Sequence, residues 1–189
     1  MRTLYLDCGM GAAGDMLTAA LSELLPDQDA FFEKMNALGI PGVHFEKEKT
    51  QKCGITGTHS KVTVNGEEEE SLDVHDHHHD HGHHHEHCHE HVHEDGSVHT
   101  HGHHHEHRGL HEILHIIEHA DMTERAKETA VRIFQILAEA ESKAHGVPAD
   151  QVHFHEVGAV DSIVDILAVA VCLDNLDITE VIVPFLCEG

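Results

Sequence analysis

The spacing of apolar residues divides the chain into short elements around one long polar stretch. Residues 3–7, TLYLD, read as a short buried strand. From Asp15 onward Met16, Leu17, Ala20, Leu21, Leu24 and Leu25 follow helical spacing, and Pro26 stops that helix. A second helix is expected over 28–38, with Phe31, Phe32, Met35 and Leu38 inward and Gly39 as its C-cap. VHFEKEK (43–49) and ITGTHSKVTV (55–64) alternate as strands do. After the polar stretch, GLHEILHIIEHA puts Leu110, Ile113, Leu114 and Ile117 on one helical face. A longer helix is expected over 122–145, ending at Gly146 and Pro148, then an extended piece at 151–155, an apolar helix at 160–175 and a last strand at 179–185. The order β-α-α-β-β-(loop)-α-α-β-α-β predicts an α/β fold: a layered domain with a small mixed sheet and flanking helices.

Between Glu67 and His107 the chain is almost only His, Glu, Asp and Gly. Such a segment has nothing to bury and is expected to be a disordered, histidine-rich insertion. Residues 1–66 and 108–189 are then two parts of one α/β domain, and 67–107 is a metal-binding insertion within it. The last residues follow directly on a strand and Pro184, which suggests a fragment or one half of a larger protein.

Charge sharpens this picture. The 189 residues hold 11 Lys and Arg against 35 Asp and Glu, a formal net charge of −24 with histidine neutral. That balance argues against nucleic acid or an anionic membrane as partner and suits cations. Cys8, Cys53, Cys88, Cys172 and Cys187 are scattered, odd in number and form no C-x-x-C, as expected of reduced thiols in the cytoplasm. Asp7 and Asp15 interrupt the N-terminal region where a signal peptide needs an apolar run, and no run approaches the ~20 residues of a membrane span.

Gly9, Gly11 and Gly14 in YLDCGMGAAGD spell G-x-G-x-x-G between an expected strand and an expected helix. A dinucleotide site would also need a second strand with an acidic residue ~20 positions on. Here that position falls in PDQD, between two helices, and Asp7 stands where pyrophosphate would lie. The plain alternative is a tight strand-to-helix turn. A third reading fits better: Asp7, Cys8 and Asp15 gather at a strand end and a helix start, where backbone N–H groups can face a ligand or cofactor, and the carboxylates could bind a metal or orient a cationic ring.

The polar stretch supplies candidate metal ligands: His75, His77, His78, His79, His81, His83, His84, His85, His87, His89, His91, His93, His99, His101, His103, His104, His105 and His107. Neutral imidazole binds nickel, copper, zinc and cobalt ions, and the tract offers many alternative ligand sets. A tract without fixed geometry is suited to holding ions rather than to catalysis. Beyond it, His107, His111, His115 and His119 recur every four residues. Successive members lie within about 40° around a helix of 3.6 residues per turn, so a pair such as His111 and His115 can share an ion. The alternative is an ordinary polar face.

VHFHEVGAVDSIVDI, residues 152–166, is the second constellation. In extended chain His153 and His155 point to one side and Glu156 to the other. Gly158 turns the chain into a helix carrying Asp161 and Asp165 one turn apart. Flanking Val152, Phe154 and Val157 suggest that the histidines are buried. The group reads as a fixed metal or acid–base site, against the alternative of a helix N-cap at Asp161 or Ser162.

These stretches together are familiar. YLDCGMGAAGDM resembles the D-x-x-x-G-x-x-G-D-M opening of the LarC family, and the histidine-rich insertion before RGLHEI and the VHFHEVGAVDSIVDI segment match it as well. The resemblance covers nearly the whole chain outside the tract. It implies a nickel chelatase of the lyase class, which places Ni(II) into pyridinium-3,5-bisthiocarboxylic acid mononucleotide to complete the nickel-pincer cofactor of lactate racemase. It implies use of CTP with Mn(II) or Mg(II), and partners among the lactate racemase pathway proteins. The positions matching the motifs, Asp7, Asp15, His153, His155, Glu156 and Asp161, become candidates for taking the proton that pyridinium C4 must lose. Family members are about twice as long, and their CTP-binding part belongs to a C-terminal half that can be encoded in a separate reading frame. This chain has no G-x-x-x-x-G-K-[ST]. The expected partners are therefore the precursor nucleotide and that C-terminal half, with homo-oligomer formation left open. The alternative reading is a nickel store or metallochaperone without chemistry.

Overall fold

The computed structural model describes residues 1–67, 89–92, 98–101, 108–154 and 157–187, with backbone alone at 89–92 and 98–101. By contacts the chain divides into one unit of Met1–Glu69 with His107–Gly189 and another of Glu70–Glu106.

The larger unit begins with β1 (Thr3–Tyr5), α1 (Gly14–Ser22) and α2 (Gln28–Asn36), followed by β2 (Val43–Lys52) and β3 (Ile55–Val64). In the smaller unit β4 (His89–Val92) pairs antiparallel with β5 (Val98–His101), placing His89 opposite His101 and His91 opposite His99. The larger unit resumes with β6 (Arg108–Gly109), α3 (Leu110–His119), α4 (Glu124–His145), a 3-10 turn at Ala149–Gln151, β7 (His153–Phe154), α5 (Val160–Asn175) and β8 (Glu180–Ile182). The fold is mixed α/β, as the periodicity predicts. Its strands pair two by two: β1 with β8 in parallel, and β2 with β3 and β6 with β7 antiparallel.

The core gathers around α5. Ile163, Val164, Leu167, Ala168, Ala170, Val171 and Cys172 are all buried, so this helix is apolar around most of its circumference, as a central helix must be. α4 contributes a stripe of Ala126, Ala130, Phe134 and Ala138 at four-residue spacing, and α3 adds Ile113 and Ile117. Phe134 meets Phe154 edge-on with ring centroids 6.1 Å apart. Phe31, Phe32 and Phe45 form a second aromatic group between α2 and β2. Among the described residues no helix is long and apolar enough to cross a membrane.

The local chemistry explains most element boundaries. Asp27 caps α2, its carboxylate accepting from Ala30 N at 2.9 Å, and Thr123 caps α4 through Ala126 N. Gly146 closes α4 in the left-handed conformation that glycine adopts without steric cost. The β2–β3 hairpin runs in register from Val43 opposite Val64 to Lys52 opposite Ile55. Its two turn residues, Cys53 and Gly54, both have positive φ, as a two-residue primed turn requires.

Three expectations change. Helix α1 stops at Ser22, short of Pro26: the Ser22 hydroxyl donates to the Ala19 carbonyl, and Gln28 Nε2 donates back to Ser22 Oγ. A side chain bonding its own helix's carbonyl competes with continuation of the helix. Helix α2 ends at Asn36 with Ala37, rather than Gly39, at its C-cap. Asn36 bonds both ways with β2, donating to Phe45 O and accepting from Phe45 N, which ties the chain to the next strand at that point. Finally, β1 is not buried. Thr3 and Tyr5 are exposed and Leu4 is half-buried, because its single neighbour β8 is itself a surface strand.

Candidate functional site

Helix α5 follows a turn with no room for a side chain. A Cβ on Gly158 would lie 2.6 Å from the Phe154 carbonyl oxygen. The glycine lets the chain double back from β7 into α5, and Arg108 Nη1 donates to its carbonyl at 3.1 Å. β6 and β7 pair Arg108 with Phe154 and Gly109 with His153. The residue that resumes the fold after the insertion is thereby tied to the segment leading into α5.

Helix α1 reaches α5 through a second absent side chain. A Cβ on Gly14 would sit 2.7 Å from Asp165 Cβ and 2.8 Å from its Oδ2. Asp165 therefore stands directly on the first residue of α1, with Asp15 in that helix's first turn and Asp161 one turn back on α5. Asp165 Oδ1 is shielded from solvent and has no hydrogen-bond partner among the described residues. Burial pushes the Asp165 carboxyl up from 3.8 to about 7, and repulsion from Asp15 and then Asp161 adds to the effect. A carboxyl that exchanges its proton near neutral pH can act as acid or base. It is also a position where a cation, by replacing the proton, would relieve both causes.

The structure brings Asp15 and Asp161 together and adds Asp165 to them. Asp7 is exposed, and its Oδ1 accepts from Gly9 N at 3.2 Å. Gly11 donates to the Cys8 carbonyl at 3.1 Å with φ +87°, so the glycine pattern forms a tight turn. The carboxylates of Asp15, Asp161 and Asp165 occupy the neighbourhood of the helix start, which would repel a pyrophosphate there. His153 is exposed rather than buried: strand alternation turns Val152 and Phe154 inward and His153 outward. His155 and Glu156 lie outside the described residues, as does His107, and no side chain of the tract is described.

On α3, His111, His115 and His119 all face solvent. The ring contact is between His115 and His119, stacked with centroids 4.2 Å apart, while His119 Nδ1 donates to the His115 carbonyl at 2.9 Å. Among the described residues no three His, Cys, Asp or Glu side chains are grouped so as to hold a metal ion. Sequence reasoning placed Asp165 one turn from Asp161 but left it out of the candidate catalytic set. Its signal was the small residue Gly14 across the helix contact, which only the pairing of the helices reveals.

Comparison with known proteins gives the family. The family described as "Nickel insertion protein" matches residues 4–189. A protein of Alkaliphilus metalliredigens named pyridinium-3,5-bisthiocarboxylic acid mononucleotide nickel insertion protein is 42% identical over 186 residues, covering 98% of this chain and 40% of that protein. Proteins of the same name from Clostridium acetobutylicum and Geobacillus kaustophilus are 42% and 36% identical over 96% of the chain, covering 43% and 38% of their own lengths. The chain thus spans about two fifths of the length of the curated relatives it matches. No solved structure matches it.

Proposed function

The chain belongs to the nickel insertion protein family, and from that premise we propose that it serves the insertion of Ni(II) into pyridinium-3,5-bisthiocarboxylic acid mononucleotide. In this reaction the C4–H bond of the pyridinium breaks, one carbon–nickel and two sulfur–nickel bonds form, and a proton leaves. Asp165 takes that proton. The observation that carries this assignment is its carboxyl at about 7 beside Asp15 and Asp161. A base near the working pH is present in both forms, and the two neighbouring carboxylates attract an incoming dication. With no three-ligand metal group among the described residues, these carboxylates act on the proton and attract the cation rather than caging it. The eighteen histidines between His75 and His107 act as the reservoir.

The reading extends to the longer relatives. CTP with Mn(II) or Mg(II) belongs to the portion this chain does not match, and this chain carries no Walker-type loop for it. Tyr5, Val181, Ile182 and Phe185 are exposed around the parallel pair β1–β8. A parallel pair is ordinarily covered, so this apolar surface suits packing by the remaining portion. The product would serve lactate racemase, in the cytoplasm. A nickel store without chemistry is the second reading, and the histidine tract favours it.

One assay separates the two. The chain is mixed with the remaining portion of a longer relative, the precursor, Ni(II), CTP and Mn(II), and product is followed by mass. Product that survives deletion of residues 75–107 but falls at least tenfold in Asp165→Asn supports the proton-acceptor assignment. Undiminished product in Asp165→Asn overturns it. Tight nickel binding with no product from the intact pair leaves the store.

A further inference from the structure

The last turn of α3 sets two histidines in a defined relation. His115 and His119 are four residues apart, where side chains on a helix are neighbours. Their rings stack with centroids 4.2 Å apart and planes 28° from parallel. His119 Nδ1 lies 2.9 Å from the His115 carbonyl oxygen. A carbonyl only accepts, so Nδ1 carries the proton and the neutral ring has its lone pair on Nε2. A metal-binding histidine is oriented in this way, its second nitrogen donating to a carbonyl or carboxylate. His111 is also one turn from His115, yet among the described residues the ring contact on α3 joins His115 to His119.

The backbone beneath the pair is anchored. Ile113 and Ile117 on the inner face of α3 are buried, as is Ala120 directly after it. The next residue, Asp121, donates its N–H to the Leu38 carbonyl at 3.1 Å, which ties the end of α3 to the chain after α2. Both imidazoles are exposed, so an ion reaches them without disturbing the core. Two nitrogens that hold one ion at about 2.1 Å and at a right angle stand about 3 Å apart, as in a square-planar or tetragonal Ni(II) site. Rings stacked at 4.2 Å reach that separation by a tilt of one exposed ring. The chain's charge of −24 draws a dication towards its surface.

We propose that His115 and His119 form a two-histidine site for the substrate ion Ni(II), with His119 Nε2 as one ligand and a ring nitrogen of His115 as the other. The choice of nickel rests on the function proposed above, and the pair adds a place where the ion is held on the larger unit. It shares no residue with Asp15, Asp161 and Asp165. The tract offers many ligand sets without fixed geometry, whereas the pair offers one. Once the first nitrogen is bound, the second bond forms within one molecule, so the pair holds an ion more tightly than a single exposed histidine does. No third donor completes a group among the described residues. Two protein ligands leave the other positions to water, so an incoming donor can attach before a histidine lets go. Such a site suits an ion in transit rather than one kept.

The test uses the full chain at about pH 7, with free Ni(II) set by a metal buffer so that uptake by the tract does not distort the titration. Diethyl pyrocarbonate labels accessible imidazole nitrogens, and peptide mass reads each histidine separately. His115 and His119 are expected to become protected together, at a free Ni(II) concentration about tenfold or more below that needed for the exposed single histidines His44 and His59. His119→Gln is expected to raise the concentration that protects His115 about tenfold or more, towards that of His44, while His111→Gln leaves it unchanged. Protection of His115 at the same concentration as His44, protection of His115 that survives His119→Gln, or joint protection of His111 and His115 with His119 still labelled overturns the proposal. Joint protection in the parent chain decides even if a variant folds poorly. None of these failures touches the nickel-insertion reading, which falls only in the product assay.

Discussion

Replacing Asp165 with asparagine is expected to stabilise the protein at about pH 8 and to change little at about pH 4. Burial, Asp15 and Asp161 together move the Asp165 carboxyl from 3.8 to about 7. Between those values the folded chain keeps a proton that the unfolded chain has released. The folded state then binds more protons, so stability falls as pH rises through this window and levels off above about 7. At about 1.4 kcal/mol per pKa unit the full interval corresponds to about 4 kcal/mol. Asparagine keeps the shape and carries no charge, so the variant escapes this loss, and about 2–4 kcal/mol should separate the two proteins at high pH. The chain has no tryptophan, so urea unfolding is best followed by far-UV circular dichroism across the pH range. Titration of the histidine tract is common to both proteins and cancels in their difference. A difference that stays constant with pH would mean that Asp165 ionises as an ordinary carboxylate, and the proton-acceptor assignment would lose its basis.

Gly158→Ala forces a methyl against the Phe154 carbonyl oxygen, only 2.6 Å from the ideal Cβ, and is expected to cost about 1–3 kcal/mol in urea unfolding; a neutral result would mean the β7–α5 turn is not held as described. Burial pushes the Cys172 thiol up to about 12, so an aromatic disulfide reagent at about pH 8 should label exposed Cys53 at once and Cys172 only after unfolding; early labelling of Cys172, read by peptide mass, would contradict its placement in the core. Removing residues 75–107 deletes eighteen of the twenty-six histidines. Bound nickel per chain should fall severalfold by metal analysis, while the larger unit, which holds the core described above, keeps its unfolding midpoint.

Local order in this fold was legible wherever a period ran long enough. The helices expected over 122–145 and 160–175 match α4 and α5 nearly to the residue, and Gly146 closes the first of them. Short elements were harder to place. Ser22 and Asn36 end their helices through side-chain bonds to Ala19, Gln28 and Phe45, partners no periodicity displays. The apolar residues flanking His153 suggest burial, yet in a strand those neighbours lie on the opposite face. The acidic group was half visible: Asp161 and Asp165 are one turn apart in sequence, but Asp15 joins them only because Gly14 lets two distant helices touch.

The pairing of β1 with β8 sets the order in which the molecule can be assembled on the ribosome. Thr3 meets Glu180 and Tyr5 meets Ile182, so the first strand waits until those residues are made before it has this neighbour. At about 5–20 residues per second, that delay is about 10–35 s. The loop bearing Asp7 and leading to Asp15 stays untethered at its N-terminal side throughout, and Asp165 itself is made late. The histidines from His75 to His107 emerge well before either. Imidazoles bind ions without any fold, so the candidate ligands of the tract are all made before Asp165 joins Asp15.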